Sequence, residues 1–212
     1  EMPEDVRKSG VGPAERYAMY DIIGSNSLLK STAMRMDLLT KEVYVQSKSF
    51  DEVATLSKRA GDMASCIPAI PPINPDPKTY RFTSNFGYRS DPSSGRSAFH
   101  AGVDFATDKG NLVYATGDGV VETVRFQFTG YGNEVVIDHG FGYKTRYAHL
   151  NAINVAEGMK VKRGDCIAES GNTGKTTGPH VHYEVLYRGS AINPVNFFDL
   201  SMSPEEYASM TR

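Results

Sequence analysis

Residues 178–185 read GPHVHYEV. Side chains of a strand alternate between two faces. His180, His182 and Glu184 would therefore share one face, with Val181, Tyr183 and Val185 on the other. Two imidazoles then point into one space, where they can bind a metal or move protons. A second stretch, FHAGVDFA, sets His100 and Asp104 four residues apart. Gly102 and the β-branched Val103 argue against a helix there, and on an extended run positions i and i+4 share a face. A catalytic zinc site takes three protein ligands from His, Asp and Glu and leaves one position for water. His100, Asp104 and one histidine of the 180/182 pair fill that count. All five histidines (His100, His139, His149, His180 and His182) lie after residue 78. His139, in the turn-forming context DHGFG, reads as structural. Glu184 reads as bonding within its own sheet in preference to orienting an imidazole.

Competing chemistries lack their residues. H-E-x-x-H and G-x-S-x-G are both absent, and Cys166 has no local motif that would make it a nucleophile. Cys66 and Cys166 stand a hundred residues apart with no CxxC, which excludes a zinc-thiolate finger. They read as two separate thiols.

The elements that must position these groups fall into four stretches. Residues 1–66 are poor in Gly and Pro, and Ile22, Leu29, Met36, Val43 and Phe50 recur at every seventh position, which marks a helical stripe. The companion row Ser25, Thr32, Leu39, Gln46 and Val53 is only partly apolar, so the seam is narrow. A break at Gly24-Ser25-Asn26-Ser27 and a capping box at SFDEV, with Ser49 as N-cap and Glu52 at N3, predict two or three helices between about 13 and 64. Residues 67–78, IPAIPPINPDPK, read as an extended proline-rich spacer. Residues 79–199 alternate short β-prone runs with Gly, Asn and Asp, the pattern of antiparallel β sheets. In residues 200–212, Ser203, Pro204 and Glu206 suit N-cap, N1 and N3 of a short helix that packs as a lid. The predicted class is mainly β with an N-terminal α-helical arm.

Bulk properties bound the partners. The 212 residues carry a net charge of −2, are 40% hydrophobic and 23% charged, and have a pI near 6.2. A nucleic-acid footprint is not indicated. No apolar run reaches the roughly 18 residues of a membrane span, and no signal peptide is visible. The chain starts EMPEDVRKSG without an initiator Met. It reads as a processed or trimmed product, which leaves room for a membrane anchor upstream.

FHAGVDFA, YKTRYAHL and GNTGKTTGPHVHYEV together resemble the lysostaphin/LytM-type zinc endopeptidases that cut bacterial cell-wall peptides. SNFGYRSDP, VYATGDGVV, YGNEVVIDHGFGYKTRYAHL, VKRGDCIAESGNTG and INPVNFF extend the resemblance over about residues 79–199. The helical arm and proline stretch are similar to Gram-negative, extracytoplasmic members of Bacteroidetes-like type. The resemblance implies an antiparallel β core with the site in a groove. It makes His100, Asp104 and His182 the Zn2+ ligands, and His149 and His180 the two non-ligand catalytic histidines. It implies a substrate among peptidoglycan stem or cross-bridge peptides, and a periplasmic location. Some relatives carry a groove tyrosine; Tyr88, Tyr147 and Tyr183 are candidates here, Tyr183 the weakest because it faces away from the histidines. Other relatives have lost ligands and activate separate wall hydrolases, so a restrained regulator, with the arm masking the groove or recruiting a partner hydrolase, is the alternative; separately, the arm is a candidate for self-association. A zinc hydrolase of some other peptide is the third reading.

Overall fold

The computed structural model describes residues 27–76, 80–90, 95–198 and 204–210. The chain divides into two compact units, with the boundary between Gly61 and Asp62. Helix α1 (Ser27–Cys66) fills the described part of the first unit and ends in the second. It is a single helix, which corrects the expected break at SFDEV. Ser49 and Glu52 suit a helix start, but neither forbids the i→i−4 bonds of a helix interior. From Ser27 to Ala60 there is no Gly or Pro to interrupt those bonds. The expected segments before Ser27 and the break at residues 24–26 lie outside the described residues.

The second unit is β-rich, as the turn-punctuated pattern predicts. Its main sheet is antiparallel in the order β1 (Tyr80–Ser84), β4 (Val103–Thr107), β12 (His180–Tyr187), β8 (Tyr143–Ala148), β7 (Glu134–Gly140), β6 (Gly119–Arg125) and β10 (Lys160–Val161), with β13 (Ser190–Ile192) paired on β12. A three-stranded sheet joins β5 (Leu112–Tyr114), β11 (Cys166–Glu169) and β9 (Ala152–Ile153), and β2 (Gly87–Ser90) forms a hairpin with β3 (Ser97–His100). Strand alternation divides the central strands. Val103, Phe105, Tyr147, Val181, Tyr183 and Val185 enter one core with Val113 and Ile167 of the smaller sheet. Asp104, Arg146, His182 and Glu184 come from the intervening positions, on the other face.

Two of the three candidate groove tyrosines belong to that core. Tyr147 and Tyr183 are fully buried, and their hydroxyls meet at Thr116, whose N–H donates to Tyr147 Oη (3.0 Å) and whose Oγ1 lies 2.9 Å from Tyr183 Oη. Tyr88 is exposed on the hairpin, edge-on to Phe99. None of the three lines the cleft described below.

The proline-rich stretch is not a free spacer. Ile70 and Ile73 are 1% and 2% exposed, and Pro68, Pro71, Pro72 and Pro75 are buried. Ala69 N–H donates to Thr116 O (2.9 Å) and Tyr114 N–H to Pro72 O (2.8 Å). Proline has no N–H to satisfy, so burying it leaves only its carbonyl needing a partner. Arg163 Nη2 donates to the carbonyls of Ala64, Ser65 and Ile67 at 2.6–3.1 Å, meeting the open carbonyls at the end of α1. The short helix α2 (Pro204–Met210) buries Tyr207, whose hydroxyl donates to Pro71 O (2.9 Å). Its expected N-cap, Ser203, lies outside the described residues. Cys66 and Cys166 are free thiols.

Candidate metal centre and cleft

His100, Asp104 and His182 converge from three strands. His100 ends β3, the chain turns through Ala101–Gly102, and Asp104 sits in β4 opposite His182 of β12. The path is a crossing between two sheets, not the single extended run read from the sequence. Gly102 permits it: a Cβ there would stand 2.3 Å from Tyr183 O. One potential ligand atom from each of the three residues lies within 4.8 Å of the others.

Hydrogen-bond partners set the tautomers. His100 Nδ1 is 2.8 Å from the Asn85 carbonyl, so it donates there and leaves a lone pair on Nε2. His182 lies between two carboxylates, Nε2 3.0 Å from Glu184 Oε1 and Nδ1 2.8 Å from Asp104 Oδ1; with a cation beside Asp104, Nε2–H donates to Glu184 and Nδ1 keeps its lone pair for the metal. Those two lone-pair nitrogens are 3.1 Å apart, and Asp104 Oδ1 lies 2.8 Å from His182 Nδ1 and 3.2 Å from His100 Nε2. Three acceptors facing one another repel unless positive charge sits among them. Burial pushes the Asp104 pKa up, but when the imidazoles carry protons in place of a cation, their hydrogen bonds and charges outweigh it and hold the carboxyl well below the usual carboxylate range. Burial pushes His182 down, yet Asp104 and Glu184 together raise it. The donor set therefore fits a divalent cation such as zinc, with two imidazole nitrogens and one carboxylate oxygen.

Two further imidazoles stand beside the cluster. His180 Nδ1 donates to Gly178 O (2.8 Å), and its Nε2 is 3.8 Å from Asp104 Oδ1, farther than His182 Nδ1. His149 follows β8 with a left-handed backbone, φ 61°, at a cost of about 1–2 kcal/mol for a residue with a Cβ. Its N–H donates to Tyr131 O and the next N–H to Asn133 O, which hold that turn. His149 Nδ1 donates to Thr173 O (2.8 Å), leaving the lone pair on Nε2. Burial, reinforced by the charge of neighbouring His180, pushes its pKa down to about 4, against the pull of the Thr173 carbonyl. His149 is therefore neutral at neutral pH. His139 lies away from this cluster, buried between Asp118 O and Thr145 Oγ1.

All of these groups except His139 line an open cleft of about 420 Å³. Phe99 and Arg89 of the hairpin border it, as do Gly130, Tyr131 and residues 175–177. The last two segments touch backbone to backbone. A Cβ on Gly174 would stand 2.4 Å from Gly132 N, and one on Gly132 would stand 2.5 Å from Thr173 O. The GNTGKTTG stretch thus both makes a tight turn, with Gly174 at φ 76°, and walls the cleft.

Three cleft-side residues escaped the sequence reading. Tyr131, between two glycines in TGYGN, lines the cleft and donates its hydroxyl to Glu184 Oε1 (2.7 Å). Burial and that carboxylate push its pKa up to about 12. Arg146 donates to Glu184 Oε2 (2.8 Å), and Arg89 Nη2 lies 3.4 Å from Asp104 Oδ2. Glu184 does both things weighed for it: Oε2 bonds within its own sheet, to Arg146 opposite it on β8, and Oε1 lies 3.0 Å from His182 Nε2 and orients that ring. Arg146 and Tyr131 come from distant segments, so no local pattern signalled them.

Residues 98–194 match Peptidase family M23. The chain is 50% identical over 115 residues, 54% of its length, to the peptidoglycan DD-endopeptidase ShyA of Vibrio cholerae, of which the match covers 26%. The chain thus spans about a quarter of the length of that curated relative. Among solved structures, a zinc-containing peptidase from Vibrio cholerae superposes with a TM-score of 0.54 at 45% identity, over 60% of this chain and 39% of that one. The catalytic domain of the antimicrobial peptidase lysostaphin from Staphylococcus simulans superposes with a TM-score of 0.51 at 30% identity, over 58% of this chain and 93% of that one. The matched region contains the whole His/Asp/His cluster and both flanking imidazoles, and by sequence and fold together the chain belongs to peptidase family M23.

Proposed function

We propose that this chain is a zinc-dependent endopeptidase that hydrolyses peptide cross-links of bacterial peptidoglycan. The observation that carries the proposal is the convergence of His100 Nε2, Asp104 Oδ1 and His182 Nδ1, with the His100 hydrogen held on Nδ1 by Asn85 O and Glu184 ready to hold the His182 hydrogen on Nε2, beside two imidazoles with other partners. The activity named for the relative ShyA supports the substrate.

His100, Asp104 and His182 would hold the zinc. When bound, zinc supplies Lewis acidity toward water and a substrate carbonyl. His149 is held neutral and pinned through Nδ1–H to Thr173 O, so Nε2 is its proton-accepting atom. His180, pinned through Nδ1–H to Gly178 O, offers Nε2 on the other side, with its ring centroid 4.7 Å from that of His149. The pair thus presents two fixed ring nitrogens for taking up and returning a proton during amide hydrolysis. Phe99, Thr176 and Thr177 border the cleft and would flank an extended peptide.

The same reading places the protein in the periplasm, where this substrate lies, tethered through sequence upstream of this chain. Self-association through the arm is supported by Leu29, Met36, Val43 and Phe50, all at least half exposed on α1. Domain limits of 1–66 for the arm, 67–78 for the proline-rich stretch, 79–199 for the catalytic part and 200–212 for the C-terminal helix complete the proposal.

Digestion of purified sacculi, with mass analysis of the released muropeptides, tests it. Cleaved cross-link peptides should appear with zinc, disappear with a chelator and return on zinc addition. Intact sacculi under full zinc loading would sink the enzymatic reading.

A further inference from the structure

One face of the main sheet carries a row of alternating charges that starts at the metal cluster. Glu184 Oε1 accepts from His182 Nε2 (3.0 Å), and Glu184 Oε2 accepts from Arg146 Nη1 (2.8 Å). Arg146 Nε lies 3.1 Å from Glu134 Oε2, and Glu134 Oε1 lies 3.5 Å from Arg125 Nη1. Sheet register builds this row. Glu184 is opposite Arg146, Arg125 is opposite Glu134, and Arg146 is opposite Val136, which shares a face with Glu134. Tyr131 closes the inner end, its hydroxyl on Glu184 Oε1 (2.7 Å) and its ring 4.4 Å from the Arg146 guanidinium.

Stability alone is a weak reason for this arrangement. Glu134 and Glu184 are 2% and 1% exposed, and a buried ion pair is often no more stable than apolar residues of the same volume. What the row does provide is direction. A carboxylate held at one oxygen can turn about its last bond. Glu184 is held at both, by Arg146 on Oε2 and by Tyr131 on Oε1, so Oε1 stays on His182 Nε2. Arg146 is itself hydrogen-bonded to Glu184, packed on the Tyr131 ring, and in charge contact with Glu134, whose Oε2 lies 3.1 Å from Nε without hydrogen-bond geometry.

We propose that Arg146, held by Glu134 and Tyr131, is a positioning residue for metal binding. It locks Glu184 onto His182 Nε2–H and so keeps the Nδ1 lone pair turned to the metal position. If Glu184 is released, Asp104 Oδ1, 2.8 Å from Nδ1, draws the His182 hydrogen to that nitrogen, and the fraction on Nδ1 cannot bind metal. This inference rests on His182 being a zinc ligand.

The test uses the full chain with zinc alone as probe. Affinity is read by competition with a chromophoric chelator, and the His182 tautomer by 15N NMR of the zinc-free protein at a pH high enough for the ring to be neutral. Arg146→Met should weaken zinc binding roughly ten- to hundredfold and shift the His182 hydrogen from Nε2 toward Nδ1. Arg125→Gln, at the outer end where Arg125 is 57% exposed, should leave both readouts at the parent's values. Tyr131→Phe removes one of the two holds without stranding a charge. It should weaken zinc binding by up to about tenfold and decides the matter if Arg146→Met does not fold. A folded variant with the parent's tautomer and zinc affinity would overturn the proposal. A parent that binds no zinc would sink the zinc reading of the site, while the tautomer measurement would still decide what the row of charges does.

Discussion

His149 and His180 lie ring against ring, centroids 4.7 Å apart, each donating Nδ1–H to a backbone carbonyl, Thr173 O and Gly178 O respectively. His182, two residues from His180 on the same strand, instead donates Nε2–H to Glu184 and turns Nδ1 to Asp104. Equal residue types on one strand face thus receive opposite ring orientations from their partners. His149→Ala and His180→Ala should each lower the rate of cross-link cleavage by at least about a hundredfold, the usual size of a general acid–base contribution. Both should keep zinc affinity within a few fold of the parent, whereas His182→Ala should lose zinc. Chelator competition alongside sacculus digestion separates the two classes. Loss of zinc in His180→Ala with retention in His182→Ala would exchange their roles.

Gly174 and Gly132 join the two loops that wall the cleft. Ala at 174 meets a left-handed backbone and would place its Cβ only 2.4 Å from Gly132 N. The backbone strain alone is about 1–2 kcal/mol, and neither partner atom is the end of a flexible side chain, so Gly174→Ala should cost about 2 kcal/mol or more. Gly158 has a similar φ of 83° with open space around its Cβ position. Gly158→Ala should therefore show the strain without the overlap and leave cleavage unchanged. Denaturant titration of both variants, with kcat/KM for each, checks this. Equal stability and equal kcat/KM in the two would remove the loop contact as a cause.

Legibility followed the distance over which each feature is encoded. The shared face of His180, His182 and Glu184 is a property of strand alternation, so it was readable from eight residues. The mainly β class was readable from turn spacing for the same reason. Only the sheet bond of Glu184 was favoured in the sequence, because its particular partners are set at long range: Arg146 is brought opposite it by β8–β12 pairing, and Tyr131 arrives from a loop before β7. The proline stretch was misread because its composition describes the backbone, not what covers it. Ile70 and Ile73 were the available hint, apolar residues between prolines with no other place to bury. At SFDEV the capping chemistry was real but weak, about 1 kcal/mol, and nothing in the neighbouring residues interrupts the helix.

Ile70 tests whether the proline stretch belongs to the folded unit. It is 1% exposed, and Ala69 N–H next to it donates to Thr116 O. Ile70→Ala should destabilise the chain by about 2–5 kcal/mol, as for other buried Ile or Leu truncations. A spacer residue would change stability by no more than about 0.5 kcal/mol. Chemical denaturation of the variant measures which applies, and a change in the smaller range would return the stretch to the role of a tether.

His139 gives the stability a pH dependence that can be isolated. It is 2% exposed, with Nδ1–H on Asp118 O (2.8 Å) and Nε2 2.7 Å from Thr145 Oγ1. Burial pushes its pKa below the ordinary histidine value, against the opposing pull of the Asp118 carbonyl and of nearby Asp138. The folded chain therefore refuses a proton that the unfolded chain accepts once the pH drops below about 6.5. The contribution of His139 is fully present above that pH and declines as the pH falls toward the depressed folded value. His139→Gln removes the titrating ring together with its two contacts. At pH 8 the variant should be less stable than the parent, by an amount of the order of 1–3 kcal/mol for lost buried hydrogen bonds. That gap should narrow steadily between about pH 6.5 and pH 5, because only the parent loses stability through this group. Paired denaturation curves across that range, in one buffer series, read the gap directly. A gap that stays constant with pH would mean that the folded chain accepts the proton at His139 as readily as the unfolded one.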